Sequence, residues 1–204
     1  MRVIAGRAKG RKLFSVPGKG TRPITARVKG ALFNILRPRL AGAVMLDLFG
    51  GTGAVGIEAL SRNAEHVVFV ERSRQAAEVI RRNLELTRLS DYAEIVRADA
   101  FQYLARAPRE GQFDIIYVAP PQYKALWLKA LLEIDGNGLL AEDGLVVVQI
   151  HPKEVVQATL LHLEMVDERH YGSTLLRFYA PKGANRGAEP AQNDHLREAD
   201  HGAA

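Results

Sequence analysis

The chain has 204 residues, 47% of them apolar, with no cysteine and a formal net charge of +5. That length and composition can bury a full core, most simply as one domain. Disulfides and thiolate metal sites are excluded, no apolar run is long enough to cross a membrane and no signal-peptide pattern is present, so a soluble cytoplasmic protein is expected.

The charge is unevenly placed. Residues 1–46 hold 11 Lys or Arg and no acid; from Asp47 onward there are 17 basic against 23 acidic residues. A basic arm on a mildly acidic body points to nucleic acid as partner. A membrane surface fits less well, because the arm lacks an amphipathic face with aromatic anchors. Within the arm, Arg2-Val3-Ile4-Ala5-Gly6 and Gly10-Arg11-Lys12-Leu13-Phe14 suggest a small hairpin, and Pro17 to Pro23 a loop. Thr25 is placed to cap a helix from Ala26 to about Leu36, with Val28, Leu32, Ile35 and Leu36 inward and Pro38 ending it.

From Val44 strands and helices alternate. Strands are expected at Val44–Leu48, Val67–Glu71, Ala93–Ala98, Phe113–Val118 and Leu145–Ile150, and helices from Ala54, Arg74, Phe101 and Tyr123. Continuous apolar runs mark strands buried on both faces, hence a parallel sheet covered by helices. Leu163–His170 and Ser173–Ala180 flank Tyr171-Gly172 and predict an antiparallel hairpin at the sheet edge. The expected fold is therefore α/β, Rossmann-like, with seven strands. The basic extension occupies residues 1–40, the main domain 41–181 and a disordered tail 182–204.

The segment Asp47-Leu48-Phe49-Gly50-Gly51-Thr52-Gly53-Ala54-Val55-Gly56 carries most of the functional information. Gly51-x-Gly53-x-x-Gly56 after a strand fits a nucleotide-binding turn. Asp47 in front of it would repel a dinucleotide pyrophosphate at the helix N-terminus, but suits the sulfonium and ammonium of S-adenosylmethionine. Glu71 ends the next strand, 20 residues after Gly51, where an acid accepts from ribose hydroxyls. Asp99 follows the third strand; it can accept from an adenine amino group beside Phe101, or cap the helix at Ala100. After the fourth strand comes Ala119-Pro120-Pro121-Gln122-Tyr123, where two prolines stop the ladder and fix the backbone over the cofactor site. His66, His151, His162, His170, His195 and His201 have no metal-ligand spacing, and no metal is expected. Trp127, with Leu128, Leu131 and Leu132, is assigned to helix core.

These motifs resemble the class I S-adenosylmethionine-dependent methyltransferases that modify nucleobase amino groups. More narrowly the chain is similar to the RsmD-like bacterial small-subunit rRNA guanine-N2 methyltransferases, over residues 1 to about 180. The resemblance is carried by Ile4-Ala5-Gly6, Gly10-Arg11-Lys12-Leu13, Arg22-Pro23-x-Thr25-x-Arg27-Val28, Leu32-Phe33-Asn34-Ile35-Leu36, the Asp47 loop, Glu58-Ala59-Leu60-Ser61-Arg62 and Pro120-Pro121. It implies S-adenosylmethionine held by Asp47, Phe49, Gly50, Gly51, Gly53, Glu71, Arg72, Asp99, Ala100 and Ala119. Small-subunit rRNA, free or in an assembling subunit, would be gripped by Arg7, Lys9, Arg11, Lys12, Arg22, Thr25, Arg27 and Lys29. Chemistry would fall to Pro120, Pro121, Gln122 and Tyr123, in a monomeric protein.

Ala119 stands where the family carries a catalytic Asp, Gln122 where it carries an aromatic, and Ala26 and Gly30 where acids are common. A nucleobase amine is a weak nucleophile, and an acceptor must bond its protons and orient its lone pair. Loss of a charged acceptor costs on the order of 10²–10³ in rate, by analogy with deleted oxyanion donors. The Pro120 carbonyl and Gln122 offer oxygens, and Tyr123 a stacking ring for an extruded base. Three readings stand at this point: a guanine-N2 methyltransferase, an rRNA-binding assembly factor with weakened chemistry, and a methyltransferase for another nucleic-acid amine.

Overall fold

The computed structural model describes residues 1–17, 24–107 and 111–184. Its elements in chain order are α1 (Ala26–Leu40), β1 (Val44–Leu48), α2 (Ala54–Ser61), β2 (His66–Val70), α3 (Arg74–Thr87), β3 (Ala93–Val96), α4 (Ala100–Arg106), β4 (Phe113–Val118), α5 (Leu126–Asn137), β5 (Leu140–Ile150), β6 (Leu163–Tyr171) and β7 (Thr174–Pro181). They form one seven-stranded sheet in the order β3-β2-β1-β4-β5-β7-β6. β1 to β5 are parallel, and β7 runs antiparallel between β5 and β6. The expected Rossmann-like α/β sheet with its edge hairpin is present.

The apolar strand runs serve two cores. Met45, Val67, Phe69, Ile115, Tyr117 and Val147 point to the face covered by α1, α2 and α3. Leu46, Val68, Ile116, Val118, Val146 and Val148 alternate with them and face α4 and α5. Gly56 explains how closely α2 lies on the sheet: a Cβ there would come within 2.3 Å of the Phe69 ring. That glycine serves helix–strand packing rather than ligand approach.

The basic arm joins the first core instead of standing off it. Val3, Ala8 and Leu13 are buried, and the Val3 and Leu13 N–H groups donate to the Arg11 and Met1 carbonyls at 3.0 and 2.9 Å, making the narrow hairpin. Glu58, on α2, receives this hairpin. Its two oxygens accept from the Ile4 and Ala5 N–H groups at 2.8 and 2.9 Å. Gly6 (φ +79°) passes so near α2 that a Cβ would fall 1.7 Å from the Ser61 carbonyl oxygen.

Besides shifts of one or two residues, three boundaries differ from the sequence-based expectation by more. Pro38 lies inside α1 rather than ending it, because buried Leu40 anchors the last turn while Pro38 and Asn34, whose carbonyl loses its partner, are exposed. α5 starts at Leu126, not Tyr123, since Tyr123 (φ +61°) and Ala125 (φ +50°) are left-handed. β5 starts at Leu140, five residues early, with an irregular register against β4 between Phe113 and Ile115. Arg22 and residues 185–204 of the expected tail lie outside the described residues; Lys182 donates to the Leu160 and Leu161 carbonyls, both at 2.9 Å.

Candidate active site

Strand order reverses between β1 and β4, and ligands of open α/β sheets collect at the carboxyl ends of strands at such a point. A cavity of about 730 Å³ opens there. The ends of β1, β2, β3 and β4 all contribute to its lining.

Asp47 reaches the cavity from β1 and is almost fully buried, at 2% exposure. Its Oδ2 accepts from the Gly56 N–H of the first turn of α2 at 3.1 Å. Burial pushes its pKa up to about 7; the Gly56 bond opposes this, and the nearby Glu71 charge adds to it. A carboxyl poised in this way gains most from a cationic ligand. Glu71, at the end of β2, closes the glycine turn: its carboxylate accepts from the Gly51 N–H at 2.9 Å and the Ser73 N–H at 2.8 Å.

Asp99 combines the two alternatives left open by the sequence. Its Oδ1 caps α4, accepting from Phe101 and Gln102 N–H at 2.9 and 3.4 Å, while the residue also lines the cavity. Phe49 and Phe101 meet edge to face at 6.2 Å on one wall, and the Lys129 ammonium lies 4.2 Å from the Phe101 ring centre. Gly50, Gly51, Arg72, Ala100 and Ala119 line the cavity as well. Gly53 does not; it precedes α2, and its N–H donates to the Gly50 carbonyl at 2.8 Å.

At the far side, Pro120, Pro121 and Gln122 line the cavity and Tyr123 does not. The prolines fix the backbone so that Gln122 faces the cavity, and the next residue turns outward. Tyr123 is 65% exposed, its N–H donates to Glu154 Oε2 at 2.7 Å, and its ring lies 5.5 Å from that of His151. Among the lining residues that carried no sequence signal are Tyr117 on β4 and Gln149 on β5, joined by a 2.6 Å hydrogen bond from the phenol to the carboxamide oxygen. Tyr117 had read as one more apolar strand position.

The expected RNA-contacting set divides. Lys9, Arg11, Lys12 and Arg27 are exposed. Arg7 stacks over Tyr92 at 4.2 Å and donates from Nε to the Leu60 carbonyl at 3.2 Å. Thr25 is committed to capping α1, accepting from the Val28 N–H at 3.3 Å. Lys29 contradicts the expectation: it is 1% exposed, pairs with Glu58 at 2.9 Å and donates to the Arg2 carbonyl at 2.9 Å. It holds the arm and cannot meet a phosphate. Among the described residues no group of His, Cys, Asp and Glu is arranged to hold a metal ion, and no helix is long and apolar enough to cross a membrane.

A family model described as Conserved hypothetical protein 95 matches residues 1–180. The chain is 44% identical over 186 residues to the Bacillus subtilis protein named "Putative rRNA methyltransferase YlbH", spanning 90% of this chain and all of that one. It is 32% identical over 180 residues to Ribosomal RNA small subunit methyltransferase D of Haemophilus influenzae, covering 88% and 93% of the two chains. Among solved structures, yhhF of Escherichia coli superposes with a TM-score of 0.75 at 33% identity, over 89% of this chain and 97% of that one.

Proposed function

We propose, from the premise that the chain belongs to the Conserved hypothetical protein 95 family of RsmD-like rRNA methyltransferases, that it methylates the exocyclic N2 of a guanine in small-subunit rRNA, using S-adenosylmethionine. The observation that carries the reading is the joint lining of one cavity by Asp47, Glu71 and Asp99 on one side and Ala119, Pro120 and Pro121 on the other.

The residues present fit the cofactor. Asp47, buried and poised for a cation, would hold the ammonium. Glu71, fixed by two backbone N–H groups, would accept from the ribose hydroxyls. Asp99 keeps Oδ2 free of the α4 cap for the adenine amino group, and the Phe49–Phe101 pair supplies an apolar wall for the ring. When bound, the cofactor would supply an electrophilic methyl group for the target amine. The protein's share is to exclude water, present the base in line with the methyl and hydrogen-bond its amine. Pro120 and Pro121 hold the backbone rigid there, and Gln122 and the Pro120 carbonyl offer acceptors. At the rim, exposed Tyr123 is available to stack on an extruded base, and the exposed arm cations to grip phosphates.

Transfer of labelled methyl to naked rRNA or to small subunits, both from a strain lacking the gene, tests the reading. Incorporation at a guanine N2 is expected; no incorporation into either, with cofactor binding intact, overturns it. Ala119 favours a second reading, an rRNA-binding assembly factor that retains the cofactor without efficient chemistry. Ala119→Asp separates the two: a gain of about 10²-fold in transfer indicates a crippled native site, little change a site with another acceptor.

A further inference from the structure

Ala119 leaves the site without a charged acceptor, yet the neighbouring strand is not silent there. β4 and β5 run in parallel with Tyr117 opposite Val147 and Val118 opposite Val148. Ala119 and Gln149 are the next residues along the two segments, just past the last β4–β5 pair, and Ala119 packs against the same core as Tyr117. Ala119 and Gln149 both line the cavity.

We infer that Gln149, oriented by Tyr117, is the hydrogen-bond acceptor for the target amine, acting from β5 in place of an acid at position 119. The inference deepens the proposed methyltransferase reading and rests on it.

Three observations carry it. The Tyr117 phenol donates to Gln149 Oε1 at 2.6 Å, which fixes the carboxamide and leaves its oxygen a second lone pair. The phenol is 3% exposed, and burial, with the Asp47 charge beside it, raises its pKa well above the ordinary value, so it stays a donor throughout the working pH range. Finally, Asp47 stands opposite Tyr117 in the β1–β4 register, and its own carboxyl is already raised by burial and by Glu71. A further carboxylate on this face would add like charge to a low-dielectric pocket, whereas a polarised amide accepts a hydrogen bond without it. Gln122 also lines the cavity, but it sits on the exposed loop and no neighbour fixes its side chain.

The test is a mutant cycle of wild type, Gln149→Leu, Ala119→Asp and the double variant. It measures kcat and KM with small subunits from a strain lacking the gene, and cofactor Kd by calorimetry. Gln149→Leu is expected to lower kcat by about 10²-fold while KM and cofactor Kd stay within about twofold. In the Ala119→Asp background the same change should cost less than about threefold, because the aspartate takes over. Tyr117→Phe, which loosens the amide without removing it, should lower kcat by about fivefold to tenfold. Thermal melting of Gln149→Leu, expected within a few degrees of wild type, guards against misfolding.

The inference is overturned if Gln149→Leu leaves kcat within twofold, if its cost is equal in both backgrounds, or if the loss falls on cofactor Kd alone. Absence of transfer by wild type with cofactor bound is a different failure. It sinks the methyltransferase reading itself, and shows before any variant is compared.

Discussion

The Lys29 ammonium lies 2.9 Å from Glu58 Oε2, and neither side chain reaches solvent. Around this pair the Ile4 and Ala5 N–H groups, the Arg2 carbonyl and the Arg62 guanidinium complete a closed network. It ties the hairpin, α1 and α2 together immediately behind the glycine turn. The arm is therefore part of the scaffold that holds the cavity, and only its outer face is left for a partner.

Glu58→Gln should destabilise the fold by about 3–5 kcal/mol, because it leaves the Lys29 charge buried without its counter-ion. Burial works to raise the Glu58 pKa, but the Ile4 N–H, Lys29 and Arg62 outweigh it and hold the carboxyl below its ordinary value. The network's contribution is thus fully present above about pH 4.5 and is lost as pH falls through the folded-state value. Urea titration gives the stability loss. Amide exchange at Ile4 and Ala5 should accelerate in the variant, and in wild type on acidification; unchanged exchange in the variant would exclude the pinning role.

Asp47 has the opposite linkage. Its carboxyl is raised by burial from the ordinary value of 3.8 to about 7 in the fold, so the folded state holds the proton more tightly. Stability falls as pH climbs from about 4 to about 7 and stays lower above that. Asp47→Asn keeps an acceptor for the Gly56 N–H and removes the buried charge. It should stabilise the ligand-free protein by about 2–4 kcal/mol at pH 8 and by almost nothing at pH 4, while weakening cofactor binding. Melting curves across that range decide it; a gain that does not depend on pH would contradict the assignment.

The same proton affects binding. If the carboxylate pairs with a cofactor ammonium, binding releases a proton below pH 7, and affinity should fall toward tenfold per unit between pH 7 and 5.5. Measurements should stop near pH 7.5, since an α-amine loses its own proton near pH 8. Calorimetry in buffers of differing ionisation enthalpy counts the proton. Asp47→Asn should flatten the dependence, and a variant that keeps it points to another titrating group.

The strands, the edge hairpin and the convergence of Asp47, Glu71 and Asp99 on one cavity were legible in the sequence because each depends on local chemistry. Apolar runs mark strands, glycines mark the turn, and strand-end acids such as Glu71 and Asp99 lie at fixed offsets from it. What escaped is set by packing between distant segments. Nothing near Lys29 in the chain announces Glu58, 29 residues away, so a buried cation in a basic arm reads like its exposed neighbours. Gln149 is hidden for the same reason: its bond to Tyr117 joins two strands 32 residues apart, which no one-dimensional pattern contains. Tyr123 was read as opening a helix, but the left-handed backbone at positions 123 and 125 delays α5 to Leu126 and leaves the ring exposed at the rim.

The arm's outer face should contribute affinity for RNA through phosphates. Lys9, Arg11, Lys12 and Arg27 are exposed, so each contact made releases a counter-ion. Replacing Arg11 and Lys12 together by Ala should weaken binding to small-subunit rRNA and reduce the slope of log K against log salt by about 1–2, without altering cofactor Kd. Lys29→Ala offers the contrast. It should lower thermal stability by removing one of the two cations paired with the buried Glu58 carboxylate, and at temperatures where the variant remains folded its salt slope should match wild type. Filter binding at four or five salt concentrations, with melting curves beside it, separates the two kinds of basic residue. If the Arg11/Lys12 slope equals wild type, the RNA does not run along this face. If Lys29→Ala reduces the slope with stability intact, the side chain reaches a phosphate after all, and the arm must open when RNA binds.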